Sequence, residues 1–578
     1  MKLEFMRAMK SFYKVVFPLI ALSAVGCSSG GSSSSSVTNT TAVETCFNVA
    51  VNYTGSNQTK KICTTKENGG YNGLGVNRFF TFSLSETKTV NISATRTSGL
   101  DPADPDLAVF KDGALVAVSE STEFNLETLT TTYGAGDYSV ELREYNYAIA
   151  SNKTLPAKYQ EVELAKGVEP VFQAPSTTCT DTTNVGTVSG VFKFERVNHS
   201  LLGASLDYGN ITPENGVGLV IQVMCGDGVY DEGVTQSDGS YNLNYQLGQT
   251  STIRVIAQMK STTPSYNFKV VDNTVAVANK PTYVFDWTNT FISAGDTGAI
   301  TIDPIAGHGA WTGTEYAEVR AAAPFAILDS IRQAKDKVVA AGVNTFPPLN
   351  INWSPDNTTA SGDILLGEIG TSFFNGSEIY LLGKEDNDTD EYDGHVIIHE
   401  WGHYFEHNFS RADSIGGPHS SSDILDIRVA FSEGFGNAFS GMVTDDSKYI
   451  DVSGDNQSVG FIIDVERNNC SNPGWFSECS VQSTLYDIYD SGLESNDGLA
   501  LGFGPIFEIL TNQQRETKAF TSIFSFIKPL KENNGASANA IDALTSAQDI
   551  DPILDIYGDS ETTNNPGATD QLPVHVAF

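Results

Sequence analysis

The sequence predicts a multidomain chain, two all-β sandwich domains followed by an α+β, mainly helical domain. Three observations carry this reading. Up to about residue 289, apolar and polar residues alternate in short runs separated by Gly, Asp and Pro, the period-two pattern of half-buried strands. Beyond that point the period lengthens to that of amphipathic helices. The length of 578 residues, 40% of them apolar, supplies several cores of ordinary size. Charge is scarce and lopsided, with 70 Asp+Glu against 34 Lys+Arg and a net of −36. Such a surface repels polyanions and anionic headgroups, which excludes nucleic-acid binding.

Lys2, Arg7, Lys10 and Lys14 precede an apolar run, residues 15–26, too short to span a bilayer. Residues 1–26 therefore read as a signal peptide. Small residues lead up to Cys27, and a Ser/Gly tract follows it, a flexible tether over residues 27–40. The arrangement resembles a bacterial lipoprotein signal. That resemblance implies an acylated Cys27, an exported protein and attachment at the outer membrane or cell surface.

Removing Cys27 leaves six cysteines that fall as local pairs, Cys46 and Cys63, Cys179 and Cys225, Cys470 and Cys479. In an exported chain this reads as three disulfides, although six cysteines allow many connectivities. Residues 41–175 form the first block, with strands such as Arg78–Ser83 and Lys88–Ile92. Its Asp104–Phe110 and Gly134–Val140 stretches resemble the small pre-peptidase sandwiches that accompany secreted bacterial peptidases. Residues 176–289 form the second block, where Asp238-Gly239 makes a tight turn into a strand. Its strand order resembles transthyretin-like, carboxypeptidase-regulatory sandwiches, and no chemistry is assigned to it.

The third block, residues 290–578, holds the chemistry. Residues 317–340 read as a helix that Pro324 kinks or delays. Asp393 is positioned as an N-cap before Val396-Ile397-Ile398, so His399-Glu400-Trp401-Gly402-His403 falls on a helix. Residues four apart share a face, so His399 and His403 converge on one ion, while Glu400 reaches only the water bound to it. This is the pattern of a zinc hydrolase: two imidazoles fix the metal and a carboxylate takes the proton of the attacking water. A catalytic zinc also wants a third protein ligand and one open position.

Downstream, Phe431, Phe435 and Phe439 form a core stripe, and Glu433 and Asn437 form a second i, i+4 pair flanked by Gly434 and Gly436. Glu433 is the leading third ligand, with His419 as its rival, and Asn437 is placed to accept a hydrogen bond from a ligand imidazole. His395 and His407 continue the four-residue spacing, but the face drifts along a straight helix, so they read as polar-face residues. The layout resembles the gluzincins, the thermolysin-like clan, which implies a zincin-type metallopeptidase domain acting on protein or peptide substrate. Two departures stand out. Thirty residues separate His403 from Glu433, longer than the family's usual gap, and Asn437 stands where Asp is commoner. The metzincin pattern is excluded, because Glu406 and Phe409 occupy the positions of its Gly and third His.

Residues 376–383 read as a strand before the metal helix, and the resemblance implies an edge that pairs with extended substrate. The run from Glu385 to Glu391 reads as a solvated acidic turn, with calcium binding through spaced carboxylates as the alternative. Residues 480–490 read as a helix bearing Tyr486 and Tyr489, of which Tyr486 is the leading candidate donor to the oxyanion and Tyr489 the alternative. The functional reading is a surface-anchored zinc peptidase with Glu400 as general base, and the alternative is a non-catalytic adhesion or polymer-binding lipoprotein on a degenerate peptidase scaffold.

Overall fold

The computed structural model describes residues 43–66, 71–121, 123–145, 147, 179–226, 228–275, 280–292, 295–296, 298–467, 469–490, 498–563 and 572–578. The expected signal peptide, Cys27 and tether lie outside the described residues. The chain divides into two compact units. One holds the described residues of 1–153, 402–447 and 464–578, the other those of 154–401 and 448–463.

The first unit contains a two-sheet sandwich. A four-stranded sheet runs Ser56–Lys66, Val43–Tyr53, Lys88–Ser98, Leu126–Tyr133. A five-stranded sheet runs His575–Ala577, Asn77–Leu84, Gly136–Glu144, Pro105–Lys111, Ala114–Ser119. Alternate residues of both sheets, among them Phe47, Val49, Phe80, Phe82, Ile92 and Val140, fill one core. The last strand belongs in sequence to the third block, yet His575 pairs with Phe79 in parallel and closes the first sandwich.

The second unit is built on an eight-stranded sheet. Its order is Gly228–Val234, Leu219–Cys225, Ser251–Thr262, Ser265–Val271, Leu349–Trp353, Ile379–Leu381, Phe373–Phe374, with Val284–Ile292 also paired to Ser251–Thr262. Every residue of Leu219–Cys225 is buried, as a central strand requires. Ser265–Val271 pairs in parallel with Leu349–Trp353, so strands from both sides of residue 289 share one sheet.

The helices that matter here are α1 (Ala323–Ala340), α2 (Gly394–Phe409), α3 (Ile427–Thr444) and α4 (Glu478–Tyr489). Pro324 sits in the first turn of α1, where its missing N–H has no partner to lose, so the helix starts late and does not kink. Disulfides join Cys46 to Cys63, Cys179 to Cys225 and Cys470 to Cys479, the local pairs. Among the described residues no helix is long and apolar enough to cross a membrane.

Candidate metal centre

Helix α2 opens where the carbonyl of Asp393 accepts a hydrogen bond from Ile397 N at 3.1 Å. The carboxylate of Asp393 serves elsewhere. Its Oδ2 accepts from Val452 N at 2.7 Å, and its Oδ1 lies 2.6 Å from Nε2 of His199. Val396, Ile397, Ile398, Trp401, Tyr404 and Phe405 are all buried, as are His395 and Glu406, so the helix is buried nearly all round and packs as a central element. Into this setting the i, i+4 pair His399 and His403 brings two fully buried imidazoles, with Glu400 equally buried between them.

Helix α3 begins at Asp426, whose Oδ1 accepts from Arg428 N at 3.0 Å. It crosses α2 closely at glycine: a Cβ on Gly402 would lie 3.3 Å from Phe439 Cδ1 and 3.5 Å from Gly436 Cα. The same helix meets α4 at Gly434, where a Cβ would stand 2.6 Å from Val481 Cβ. These contacts fix the register that buries Glu433.

The structure gathers His399, His403 and Glu433, all buried, with one ligand atom of each within 4.8 Å of the others. Nε2 of His403 lies 3.5 Å from Oε2 of Glu433. Two ligand atoms each about 2.0–2.1 Å from one tetrahedral ion stand about 3.3 Å apart, so this spacing fits a shared zinc. The donor set, two imidazole nitrogens and one carboxylate, is that of a catalytic zinc with one position left open.

Sequence reasoning missed the groups that hold these side chains. Nδ1 of His403 is 3.2 Å from Oγ of Ser432, which in turn donates to Oε2 of Glu406 at 2.6 Å. With its Nδ1 engaged in this way, the ring of His403 turns Nε2 toward Glu433. His419, the rival ligand, instead bridges two carboxylates, Nε2 at 3.3 Å from Glu433 Oε2 and Nδ1 at 2.6 Å from Glu478 Oε2. Burial alone would lower the pKa of His419, but Glu433 and Glu478 outweigh it and hold the imidazole well above its ordinary value. Its loop is shaped by Gly417, at φ +109°, where a Cβ would stand 2.8 Å from Asn72 Nδ2 and from the Tyr71 hydroxyl. Asn72 Nδ2 donates to Pro418 O at 3.0 Å, so a segment of the first block anchors the loop that carries His419.

Asn437 directs its Nδ2 to Oε1 of Gln482 at 2.8 Å, a bond between α3 and α4. Other expectations are revised. Tyr486 packs against Gly441, eight residues and about 12 Å of helix rise beyond Glu433, so it belongs to the core between α3 and α4, too far to donate to the reacting carbonyl. His407 is exposed, whereas His395 is buried with its ring 5.6 Å from that of Tyr449. The strand expected at the substrate edge, Ile379–Leu381, is flanked on one side by Leu349–Trp353 and on the other by Phe373–Phe374, which takes the edge. Only the first part of the acidic run is a solvated turn: residues 385–387 form a turn with Asp386 exposed, whereas residues 388–393 are buried. Glu391 turns inward to pair with the Arg320 guanidinium and to accept from Trp353 Nε1 at 3.3 Å.

Residues 340–547 match the family model of the mycolysin C-terminal domain. That stretch contains His399, Glu400, His403 and Glu433, and the match supports a peptidase related to the thermolysin-like family. No curated protein matches the chain.

Proposed function

We propose that the protein is an exported, surface-tethered zinc peptidase, with His399, His403 and Glu433 as the metal ligands and Glu400 as the general base. The observation that carries this reading is the buried gathering of two imidazoles and one carboxylate within 4.8 Å, on a stretch that matches a peptidase family model. When bound, zinc polarises the scissile carbonyl and lowers the pKa of the attacking water. The chain's own residues do the rest. The carboxylate of Glu400 takes the proton of the attacking water and returns it to the leaving amine nitrogen. Ser432 and Glu406 hold the His403 ring in one orientation. His419, braced by Glu478, holds Glu433 and offsets part of the negative charge gathered there. On the same reading Cys27 carries the lipid anchor, and the substrate is protein or peptide.

The test is zinc content beside casein hydrolysis. The wild type is expected to hold one zinc per chain and to lose activity to a chelator. Glu400→Gln should keep zinc and lose activity by at least about 100-fold, while His403→Ala should lose both. Glu400→Gln with wild-type turnover would remove the base from the account.

A further inference from the structure

Glu478, which braces His419, stands beside a disulfide. Cys470 is bonded to Cys479, and Ser477, Glu478 and Cys479 follow one another where α4 begins. Ser477 is the N-cap, its side chain accepting from Ser480 N at 3.3 Å. The cap, the carboxylate on Nδ1 of His419 and the half-cystine therefore occupy three consecutive residues. Residues 470–477 form no helix or strand, so the place of this first turn depends on a few tethers. Asn472 Nδ2 donates to Ser422 O at 2.7 Å, and Leu425 N donates to Phe476 O at 2.9 Å. Glu478 Oε2 lies 2.6 Å from His419 Nδ1. These contacts lace the disulfide loop to the loop that carries His419, whose Nε2 reaches Oε2 of Glu433 at 3.3 Å.

The first turn of a helix frays readily, because its N–H groups lack partners within the helix. The disulfide restrains that fraying by closing the chain at Cys479, one residue from the brace. Access and place distinguish it from the other two bonds. Cys470 is half-exposed while Cys479 is 9% exposed, so a dissolved thiolate reaches Sγ of Cys470. Cys46 and Cys63 are both buried, and Cys179 and Cys225 belong to the other compact unit.

We propose that the Cys470–Cys479 bond is a thiol-exchange site through which a dithiol reductant loosens the metal centre, an inference that rests on the zinc reading above. One thiolate of the reductant attacks Sγ of Cys470, the S–S bond breaks, and Cys479 leaves as thiolate. The second thiolate then displaces Cys470 and closes the reductant's own disulfide. The reductant is oxidised by two electrons, the chain's disulfide is reduced by two, and the reductant's two protons pass through solvent to the two chain thiolates. With the loop open, the first turn of α4 is no longer tied to Cys470. Glu478 is then not held against Nδ1 of His419, and Glu433 loses its brace. The oxidised chain retains zinc, and the reduced chain releases it more readily.

The experiment measures zinc affinity of the full chain by competition with a colorimetric chelator, before and after treatment with a dithiol that is removed anaerobically before zinc is added. Alkylation and mass spectrometry of a parallel sample confirm that Cys470 and Cys479 are thiols. Reduction should weaken zinc binding by about tenfold. Cys470→Ser/Cys479→Ser should show the same loss without dithiol and no further loss with it. In His419→Ala, reduction should cost no further zinc affinity, because the brace is already gone, whereas a general loosening of the fold would add its loss in that background too. Unchanged affinity in reduced wild type with both thiols confirmed would overturn the proposal, as would a tenfold loss on reduction of His419→Ala. If the cysteine variant fails to fold, the reduced wild type and His419→Ala carry the test. Oxidised wild type that binds no zinc would fail the zinc reading itself, while equal zinc affinity in both redox forms would fail only this inference.

Discussion

The imidazole of His419 lies with Nε2 3.3 Å from Oε2 of Glu433, slightly closer than Nε2 of His403 at 3.5 Å. The residue that rivals Glu433 as third ligand is thus its immediate support, because the other ring nitrogen is engaged by Glu478 at 2.6 Å. His419→Ala should leave the three ligands in place but weaken zinc retention by about 10–100-fold. Competition with a colorimetric chelator measures this, alongside the melting temperature of the zinc-free protein. Wild-type zinc affinity in a folded variant would remove His419 from the centre.

Gly434 sets how closely α3 approaches α4. A Cβ there would meet Val481 Cβ at 2.6 Å and the carbonyl oxygen of Glu478 at 2.7 Å, so one helix must give way. Gly434→Ala should cost about 1–3 kcal/mol in urea unfolding. Gly535→Ala, where nothing lies within 4 Å, serves as the control and should stay within about 0.5 kcal/mol of wild type. Equal stability of the two variants would contradict the packing argument.

Arg428 is buried with Nη1 3.0 Å from Glu141 Oε2 and Nε 2.9 Å from Asp426 Oδ1. Burial alone would raise Glu141, but Arg428 and Arg143 hold it down at about 2. Arg428→Met leaves Glu141 and Asp426 buried without that cation and should destabilise the chain by about 3–5 kcal/mol. Adding Glu141→Gln should restore part of the loss, and a double-mutant cycle by denaturant unfolding reads both. Because the folded pKa of Glu141 lies below its ordinary 4.5, its contribution is complete above that pH and fades as the pH falls toward 2.

His575 gives a separate acid window. Burial pushes its imidazole down to about 4 from an ordinary 6.5, so the folded chain resists the proton that the unfolded chain accepts. A depressed folded pKa contributes stability that is present above 6.5 and lost as the pH falls through 4. Melting temperatures should therefore drop between these limits more steeply in wild type than in His575→Gln. Parallel curves for the two proteins would show that this histidine does not set the slope.

The ligand pair was legible in the sequence because its signal is local: four residues on one helix place His399 and His403 together. Glu433 was legible as part of a second i, i+4 pattern, with Asn437, that encloses two glycines. The support around them was not. Ser432 reaches Glu406 from 26 positions away and His419 reaches Glu478 from 59, and no period announces such pairs. The acidic run misled for a related reason. Consecutive carboxylates read as solvated, but Arg320, 71 positions earlier, draws Glu391 inside. The edge of the large sheet was invisible because Phe373–Phe374 is only two residues long, shorter than any alternation can register. Likewise nothing local shows that His575–Ala577 returns to the strand at Asn77–Leu84.

Anomalous scattering at the zinc edge, from crystals of the full chain with one equivalent of zinc, tests the central claim most directly. The account predicts a single strong peak about 2.0–2.2 Å from ring nitrogens of both His399 and His403 and from a carboxylate oxygen of Glu433. A peak bonded to His419 in place of Glu433, or no peak at the two histidines, would contradict it.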